Sequence, residues 1–300
     1  MYKISLAYNN EENKALAGQD LNKFIEDFKA TADDAEIRVA FASSLSLPIL
    51  KNVAPQTSVR DIFYVDELPA GALAEYPVDL NDIETAVVMP RLGAVPQNLV
   101  VGDSVIVPTF EVSNSVEWKL TFVRDGRFNI VERALEKLAE SFIRAEELSG
   151  WATIRGAIYA GNTFTATDNK LSKTVFNDMI TEMRAVYGYE PTDVYVSPRC
   201  AKEIRNWANT SIDPVTQREI FQAGGLNSIW DVRLHELRTL GDKEIFLFDT
   251  SKFGVMPIRT NITSFDKPDA INRLRAGVIA YEEIGFAVLD KKAMMYSVLL

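Results

Sequence analysis

Residues 129–150, NIVERALEKLAESFIRAEELSG, hold one helical period without a break. Val131, Leu135, Leu138, Phe142 and Ala145 follow one another at spacings of four, three, four and three, which puts them on one stripe of a helix. The opposite face is charged. Asn129 followed three residues later by Glu132 has the form of a capping box, and Gly150 stands where a left-handed residue would close the last turn. The spacing therefore predicts a helix over 130–149, about 30 Å long at 1.5 Å per residue. An ordinary core helix explains such a stripe by itself, so the flanking segments decide what it belongs to.

The chain has 300 residues and 47% hydrophobic content, enough to bury a substantial core in one or two domains and to exclude disorder. It opens MYKISLAYNNEENK, without an apolar run of signal-peptide length, and no uncharged stretch approaches the roughly 18 residues needed to cross a bilayer. Cytoplasm-like surroundings are expected. Cys200 is the one cysteine and His235 the one histidine, so no internal disulfide and no Cys/His set for a transition metal is available. Scarce histidine also weakens an enzymatic reading, because general-base chemistry near neutral pH leans on imidazole. His235 lies in the alternating segment WDVRLHEL, where a solvent-facing or edge-strand histidine without a catalytic role is expected.

Net charge is -10, and its distribution says more than its size. Within 61–118 ten acids (Asp61, Asp66, Glu67, Glu75, Asp79, Asp82, Glu84, Asp103, Glu111, Glu117) face a single base, Arg91, so nearly the whole imbalance sits in one segment. A surface of this sign repels phosphate backbones, which disfavours a dedicated nucleic-acid-binding role.

Residues 1–50 read as an arm. A helix is expected over 20–30, where Leu21, Phe24, Ile25 and Phe28 share a face, followed by FASSLSLPILKNVAP, which shows no period and needs something else to lie against. Residues 61–118 alternate and break, and Pro90, Pro96 and Pro108 forbid a long helix there and imply edge strands. An extended two-stranded excursion is predicted, too interrupted to bury a core alone and therefore completed by another surface. After the 129–150 helix, WATIRGAIYAGNTFTATDN reads as a turn-rich connection. Residues 172–187 carry Val175, Phe176, Met179, Ile180, Met183, Val186 and Tyr187 on one face and end at Gly188, a second amphipathic helix. DVYV is a short buried strand. Ser197 and Pro198 then take the N-cap and first helical positions of a helix carrying Ile204 and Trp207. IWDVRLHEL, EIFLFD, FGVMPIRT, RAGVIAYEEIGFAVLD and AMMYSVLL are strands, so the second half is expected to be a mixed sheet flanked by helices.

No motif bearing chemistry is present: no Walker-type loop, GxGxxG after a strand, GxSxG, HExxH or calcium loop. Gly224–Gly225 precede a strand rather than a helix, so they read as a turn and not a phosphate cradle. Asp33–Asp34 and Glu282–Glu283 are carboxylate pairs, but neighbours in a strand point to opposite faces. Catalytic, cofactor-binding and metal residues are accordingly none, and no cofactor is expected.

The order of these elements resembles the major capsid protein of tailed phages, the Hong Kong 97-type fold. VIVPTFEVSNSVEWKLTFVRDGRFNIVERALEKLAESFIRAEELSG resembles that family's returning loop strand and spine helix. DVYVSPRCAKEIRNW resembles the strand, turn and helix of the apical domain, IFQAGGLNSIWDVRLHELRTLGDKEIFLFDTSKFGVM the glycine-containing loop and paired strands after it, and RLRAGVIAYEEIGFAVLDKKAMMYSVLL the closing strand and tail. The resemblance implies an α+β fold with an N-terminal arm over 1–60, an extended β-loop over 61–118, a peripheral domain with the spine helix over 119–165 and 250–285, and an apical αβ domain over 166–249 and 286–300.

It further implies a non-enzymatic head protein of the virion that self-assembles in the host cytoplasm, through hexamers and pentamers, into an icosahedral shell around double-stranded DNA. DNA contact would be weak and non-specific, membranes would play no part, and scaffold, portal and cement proteins are further partners. Two alternatives stand beside it: an encapsulin-type nanocompartment shell enclosing a cargo enzyme, and a cytoplasmic αβ enzyme using carboxylates or lysines. The sequence departs from the family's covalently crosslinking members in having no lysine between Lys51 and Lys119. A shell held by non-covalent contacts is expected. The arm is too short for the long cleaved scaffolding region some members carry. WATIRGAIYAGN replaces the usual glycine-rich turn after the spine helix, and Asp231 stands where a glycine usually follows the apical tryptophan.

Overall fold

The computed structural model describes residues 57–69, 71–79, 102–119, 121, 129–166, 169–207, 228–267 and 274–299, with positions 42, 45, 49 and 53. The predicted 20–30 helix, Asp33–Asp34, Pro90, Pro96 and Gly224–Gly225 lie outside the described residues. The chain divides into two compact units: residues 1–56, 111–145 and 260–283 form the first, and 57–110, 146–259 and 284–300 the second.

The first unit is one sheet face closed by a helix. The helix α2 (Asn129–Gly156) contributes its residues up to 145 here. The strands, in spatial order, are β9 (Gly254–Asp266, from residue 260), β10 (Arg275–Ile284) and β4 (Phe110–Lys119). Period-two alternation sends Ile262, Ala276, Val278, Ala280 and Trp118 inward, where they meet the period-3.6 stripe Leu138, Ala139 and Phe142 of α2. Leu135 is half-buried on the same stripe. Adjacent Glu282 and Glu283 point to opposite faces of β10, the first buried and the second half-buried.

Ala42, Leu45, Ile49 and Val53 are buried in this same cluster. Their spacing of three, four and four is helical, so FASSLSLPILKNVAP does carry a period, diluted by the serines and Pro48 between its apolar positions. The surface it lies against is its own chain. The Ser264 hydroxyl donates to the Ala42 carbonyl, fixing the start of that stripe on β9.

The second unit holds a five-stranded mixed sheet in the order β12 (Met294–Val298), β8 (Glu244–Phe248), β5 (Asp193–Val196), β7 (Val232–Glu236), β6 (Ser228–Ile229). β5 runs parallel to β7 and antiparallel to β8. All four residues of DVYV are buried, the apolar run Val194–Val196 as expected of a central strand and Asp193 as a buried carboxylate at its start. One face is covered by α3 (Lys173–Glu182) and α4 (Pro198–Arg205) through Val175, Phe176, Met179, Ile180, Cys200 and Ile204. The Ser172 hydroxyl caps α3 by accepting from the Val175 N–H. Ser197 occupies the N-cap position of α4, yet its side chain makes no capping hydrogen bond.

Strands β1 (Tyr64–Glu67) and β11 (Ala287–Val288) pair with the first residues of β9, parallel and antiparallel respectively. β2 (Glu75–Asp79) and β3 (Gly102–Ile106) form a separate antiparallel ribbon. Pro77 sits opposite Ser104 in that ribbon, where both strands are edges and a missing N–H is tolerated.

Three expectations change. FGVMPIRT and RAGVIAYEEI do not join the mixed sheet; they are β9 and β10 of a second sheet. Alternation shows which face of a strand is buried but not which strand it pairs with. The widened five-residue turn Met183–Tyr187 ends the 172–187 helix before Gly188, whose φ of +71° closes it as expected. That extra residue per turn rotates Val186 off the apolar stripe, leaving it 60% exposed.

The third concerns Gly150. Helix α2 does not stop there but runs 28 residues to Gly156, taking in WATIRG. Gly150 is buried inside it because Val59 of the helix α1 (Val59–Ile62) packs on its backbone, and a Cβ there would stand 2.4 Å from Val59 Cγ1. A glycine that ends a helix and one that admits a neighbour look alike in sequence.

Candidate functional site

The 57–63 segment is fastened to one turn of α2. Ser58 donates its backbone N–H and, at 3.0 Å, its hydroxyl to the Glu147 carboxylate, and Trp151 Nε1 donates to the Ser58 hydroxyl at 3.2 Å. Arg60 reaches Glu146 through Nε at 2.9 Å and Nη2 at 2.7 Å, with the Glu146 side chain fully buried. The fork geometry of guanidinium on carboxylate satisfies both oxygens of a charge that has no water. Trp151 continues from here onto the sheet, standing edge-on to Phe246 at 5.2 Å, Tyr195 at 5.8 Å and Phe248 at 6.4 Å.

Asp193 opens β5, and the parallel register places Arg233 opposite it and His235 opposite Tyr195. Arg233 Nη2 lies 2.7 Å from Asp193 Oδ2 and His235 Nε2 2.8 Å from Oδ1. The imidazole stacks on the Tyr195 ring at 4.6 Å. His235 is thus half-buried and engaged rather than merely solvent-facing: β6 covers only Val232 and Arg233 of β7, but Asp193 and Tyr195 hold the ring from β5.

Burial by itself would raise the Asp193 carboxyl; hydrogen bonds from His235, Arg233 and Thr192 overcome it and hold the group below the usual aspartate range. Its stabilising contribution is therefore present above the ordinary aspartate value and lost as pH falls through the lowered one. Asp193→Asn should flatten that acid limb, read as urea midpoints between about pH 6 and pH 2; an unchanged limb would place acid sensitivity elsewhere.

In the first unit Glu117 of β4 accepts from Lys267 at 2.8 Å and Arg275 at 3.1 Å, and these cations lower its carboxyl. Phe265, half exposed, stacks on Tyr281 at 5.7 Å.

The β6–β7 connection is a two-residue turn, Trp230 and Asp231, with φ of 51° and 66°. Both central residues of such a turn need positive φ, which glycine and asparagine adopt most easily. Trp230 is held there by stacking on Phe176 at 5.8 Å beneath the Lys173 ammonium. Asp231→Gly, relieving the left-handed conformation at a smaller entropic cost, should raise stability by about 0.5–1 kcal/mol, checked as a higher melting temperature.

None of these clusters sets a nucleophile beside a base. Among the described residues His235 has Asp193 as its hydrogen-bond partner, and no group of three or more His, Cys, Asp or Glu is placed to hold a metal ion. Cys200 is buried, which pushes its thiol up and away from reactivity. No helix among the described residues is long and apolar enough to cross a membrane. What the second unit does present is apolar surface: Tyr64 is 66% exposed, and Leu73, Val105 and Ile106 on or beside the β2–β3 ribbon are 65%, 45% and 61% exposed. Sequence reasoning asked for a surface to complete this segment without identifying the side chains, because which residues of a ribbon stay uncovered depends on strand register.

Against known proteins, the family model described as phage capsid protein matches residues 114–296. Among curated proteins no sequence relative is found. Solved structures with the same fold include the capsid of an empty GTA particle, 12% identical, with 81% of this chain and 89% of that chain covered at a TM-score of 0.63. The mature capsid of bacteriophage PhiM1 is 12% identical, covers 81% and 86%, and has a TM-score of 0.58. The virus-like particle from Pyrococcus furiosus is 13% identical, covers 84% and 97%, and has a TM-score of 0.56. These likenesses give the α+β fold of Hong Kong 97-type capsids, and the model spans more than half of the chain, so the protein belongs to the phage capsid protein family.

Proposed function

We propose that many copies of this major capsid protein close into an icosahedral head around a double-stranded DNA genome, built from hexamers and pentamers. Its role is structural and not enzymatic, and its place is the virion. The observation that carries the reading is the family match over 114–296, which takes in the second half of β4, all of α2 and the strands β5 to β11 with most of β12.

The division of labour we infer follows element order: residues 1–60 as arm, 61–118 as extended loop, 119–165 and 250–285 as peripheral domain around α2, and 166–249 with 286–300 as apical domain. A closed shell of identical chains requires each copy to present complementary faces. Leu73, Val105 and Ile106 support the loop as one of them, because exposed apolar side chains gain from being covered. The ten acids of 61–118 favour a less acidic partner surface. Scaffold, portal and cement functions fall to separate chains, and DNA is met weakly and without sequence preference inside a shell assembled in the host cytoplasm.

Electron microscopy of the protein expressed alone and with its genomic neighbours tests this. Closed particles of uniform diameter containing DNA are expected; particles filled with a cargo protein would favour a nanocompartment, and small discrete oligomers under all conditions would overturn the shell. With no lysine between Lys51 and Lys119, particles boiled in detergent should run as single subunits on a denaturing gel. A ladder of covalent multimers would refute the non-covalent assembly.

A further inference from the structure

Three stretches of the second unit meet at one corner, and each brings lysine or arginine. Residues 169–173, NKLSK, lie between α4 and the β7–β8 connection. The Leu171 N–H donates to Glu203 of α4, Trp207 Nε1 donates to the Leu171 carbonyl at 2.8 Å, and Lys243 Nζ donates to the Asn169 carbonyl at 2.7 Å. Arg199 ties α4 to the same connection by pairing with Asp242 at 2.8 Å. Arg199, Lys202 and Arg205 recur every third residue, so successive ones are neighbours on the surface of α4, and all three are exposed. The nearby acids are engaged: Asp242 pairs with Arg199, Glu236 with Arg205, and Glu203 with the Leu171 amide. Lys170 and Lys202 stay exposed with no ion-pair partner among the described residues.

Apolar surface borders these cations. Phe176 of α3 contacts Trp207 at 6.4 Å and stacks on Trp230 at 5.8 Å; Lys173 Nζ lies 5.7 Å over the Trp230 ring, which is 40% exposed. A chain of net charge -10 thus gathers cations around an exposed tryptophan. The β2–β3 ribbon is its converse. Register sets Glu75 directly across from Ile106, so a carboxylate shares a face with a side chain 61% exposed, and Leu73, two residues before Glu75, is 65% exposed.

We propose that the acidic β2–β3 ribbon of one copy of this chain docks on the basic corner of a second copy, formed by Lys170, Lys173, Lys202 and Trp230. The inference rests on the reading of 61–118 as a contact segment and names the surface that receives it. Opposite charges steer the two patches together and fix their register, while Trp230, Leu73 and Ile106 gain by leaving water together. A DNA backbone would answer the lysines but would leave Trp230 and the apolar side chains of the ribbon uncovered. Because the two patches are different parts of one chain, the contact is heterologous: each copy gives its ribbon to one neighbour and its corner to another.

A carbodiimide, which joins a lysine amine to a carboxylate already touching it, tests this on the full-length protein with isotope-labelled and unlabelled subunits mixed before assembly. Mass spectrometry should find Lys170, Lys173 or Lys202 joined to an acid of 61–118 in mixed-isotope pairs. Lys170→Glu combined with Lys202→Glu should lower the assembled fraction about tenfold or more at low salt, with the subunit's circular dichroism unchanged. If that variant does not fold, the crosslinks of the unaltered protein decide by themselves. Crosslinks confined to single subunits, or to acids outside 61–118, overturn the proposal, as does a folded variant that assembles normally. A variant that forms shells normally but no longer retains DNA assigns the corner to DNA and overturns it too. Mixed-isotope links in small oligomers that never close would keep the contact and sink the shell reading; closed particles without the link sink the contact alone.

Discussion

Arg60→Ala is expected to lower unfolding stability by about 3–5 kcal/mol, because it leaves a buried carboxylate without its counter-charge. The Glu146 side chain is fully buried and its two oxygens are spoken for by Arg60, whose own side chain is 11% exposed. Removing the guanidinium refunds none of the desolvation already spent on Glu146. The pair Arg60→Met with Glu146→Leu takes both charges away together and should come within about 1 kcal/mol of the original or exceed it. Urea unfolding followed by circular dichroism measures both. A loss below about 1 kcal/mol for the single substitution would mean that Glu146 reaches water or another donor and that the clamp is weaker than its geometry.

Trp151→Ala should cost a similar amount, about 3–5 kcal/mol. The indole is 3% exposed and stands edge-on to three aromatic rings of β5 and β8, so its removal opens a cavity that strands of a hydrogen-bonded sheet cannot collapse to fill. Its Nε1 also leaves the Ser58 hydroxyl with one partner fewer. Trp151→Phe keeps much of the edge contact but not the donor, and should recover most of the loss. If it recovers none, the hydrogen bond to Ser58 and not the aromatic packing is what fixes this turn of α2. Both variants unfold more readily without any change in the outer side chains of the β2–β3 ribbon, so particles formed from surviving protein should have unaltered diameter.

Period and punctuation were enough to reveal most elements. The 129–150 stripe, the DVYV strand, the 172–187 helix with its glycine stop and the Ser-Pro start of α4 are all local signals, each set by side-chain spacing or by the dihedral needs of one residue. The order of those elements carried the family, and the clustering of ten acids in 61–118 was legible before any strand was paired. Tertiary structure decided what depends on a second segment distant in sequence. Gly150 looked like a helix end until Val59 was found against it, and the 42–53 stripe looked aperiodic until Leu138 and Phe142 showed which residues were buried. Both Arg60–Glu146 and Asp193–His235 join residues more than forty positions apart, as does the pairing of β1 with β9. Spacing along a chain determines which face a residue occupies; only packing brings two faces together, and the buried charges of this protein exist where they meet.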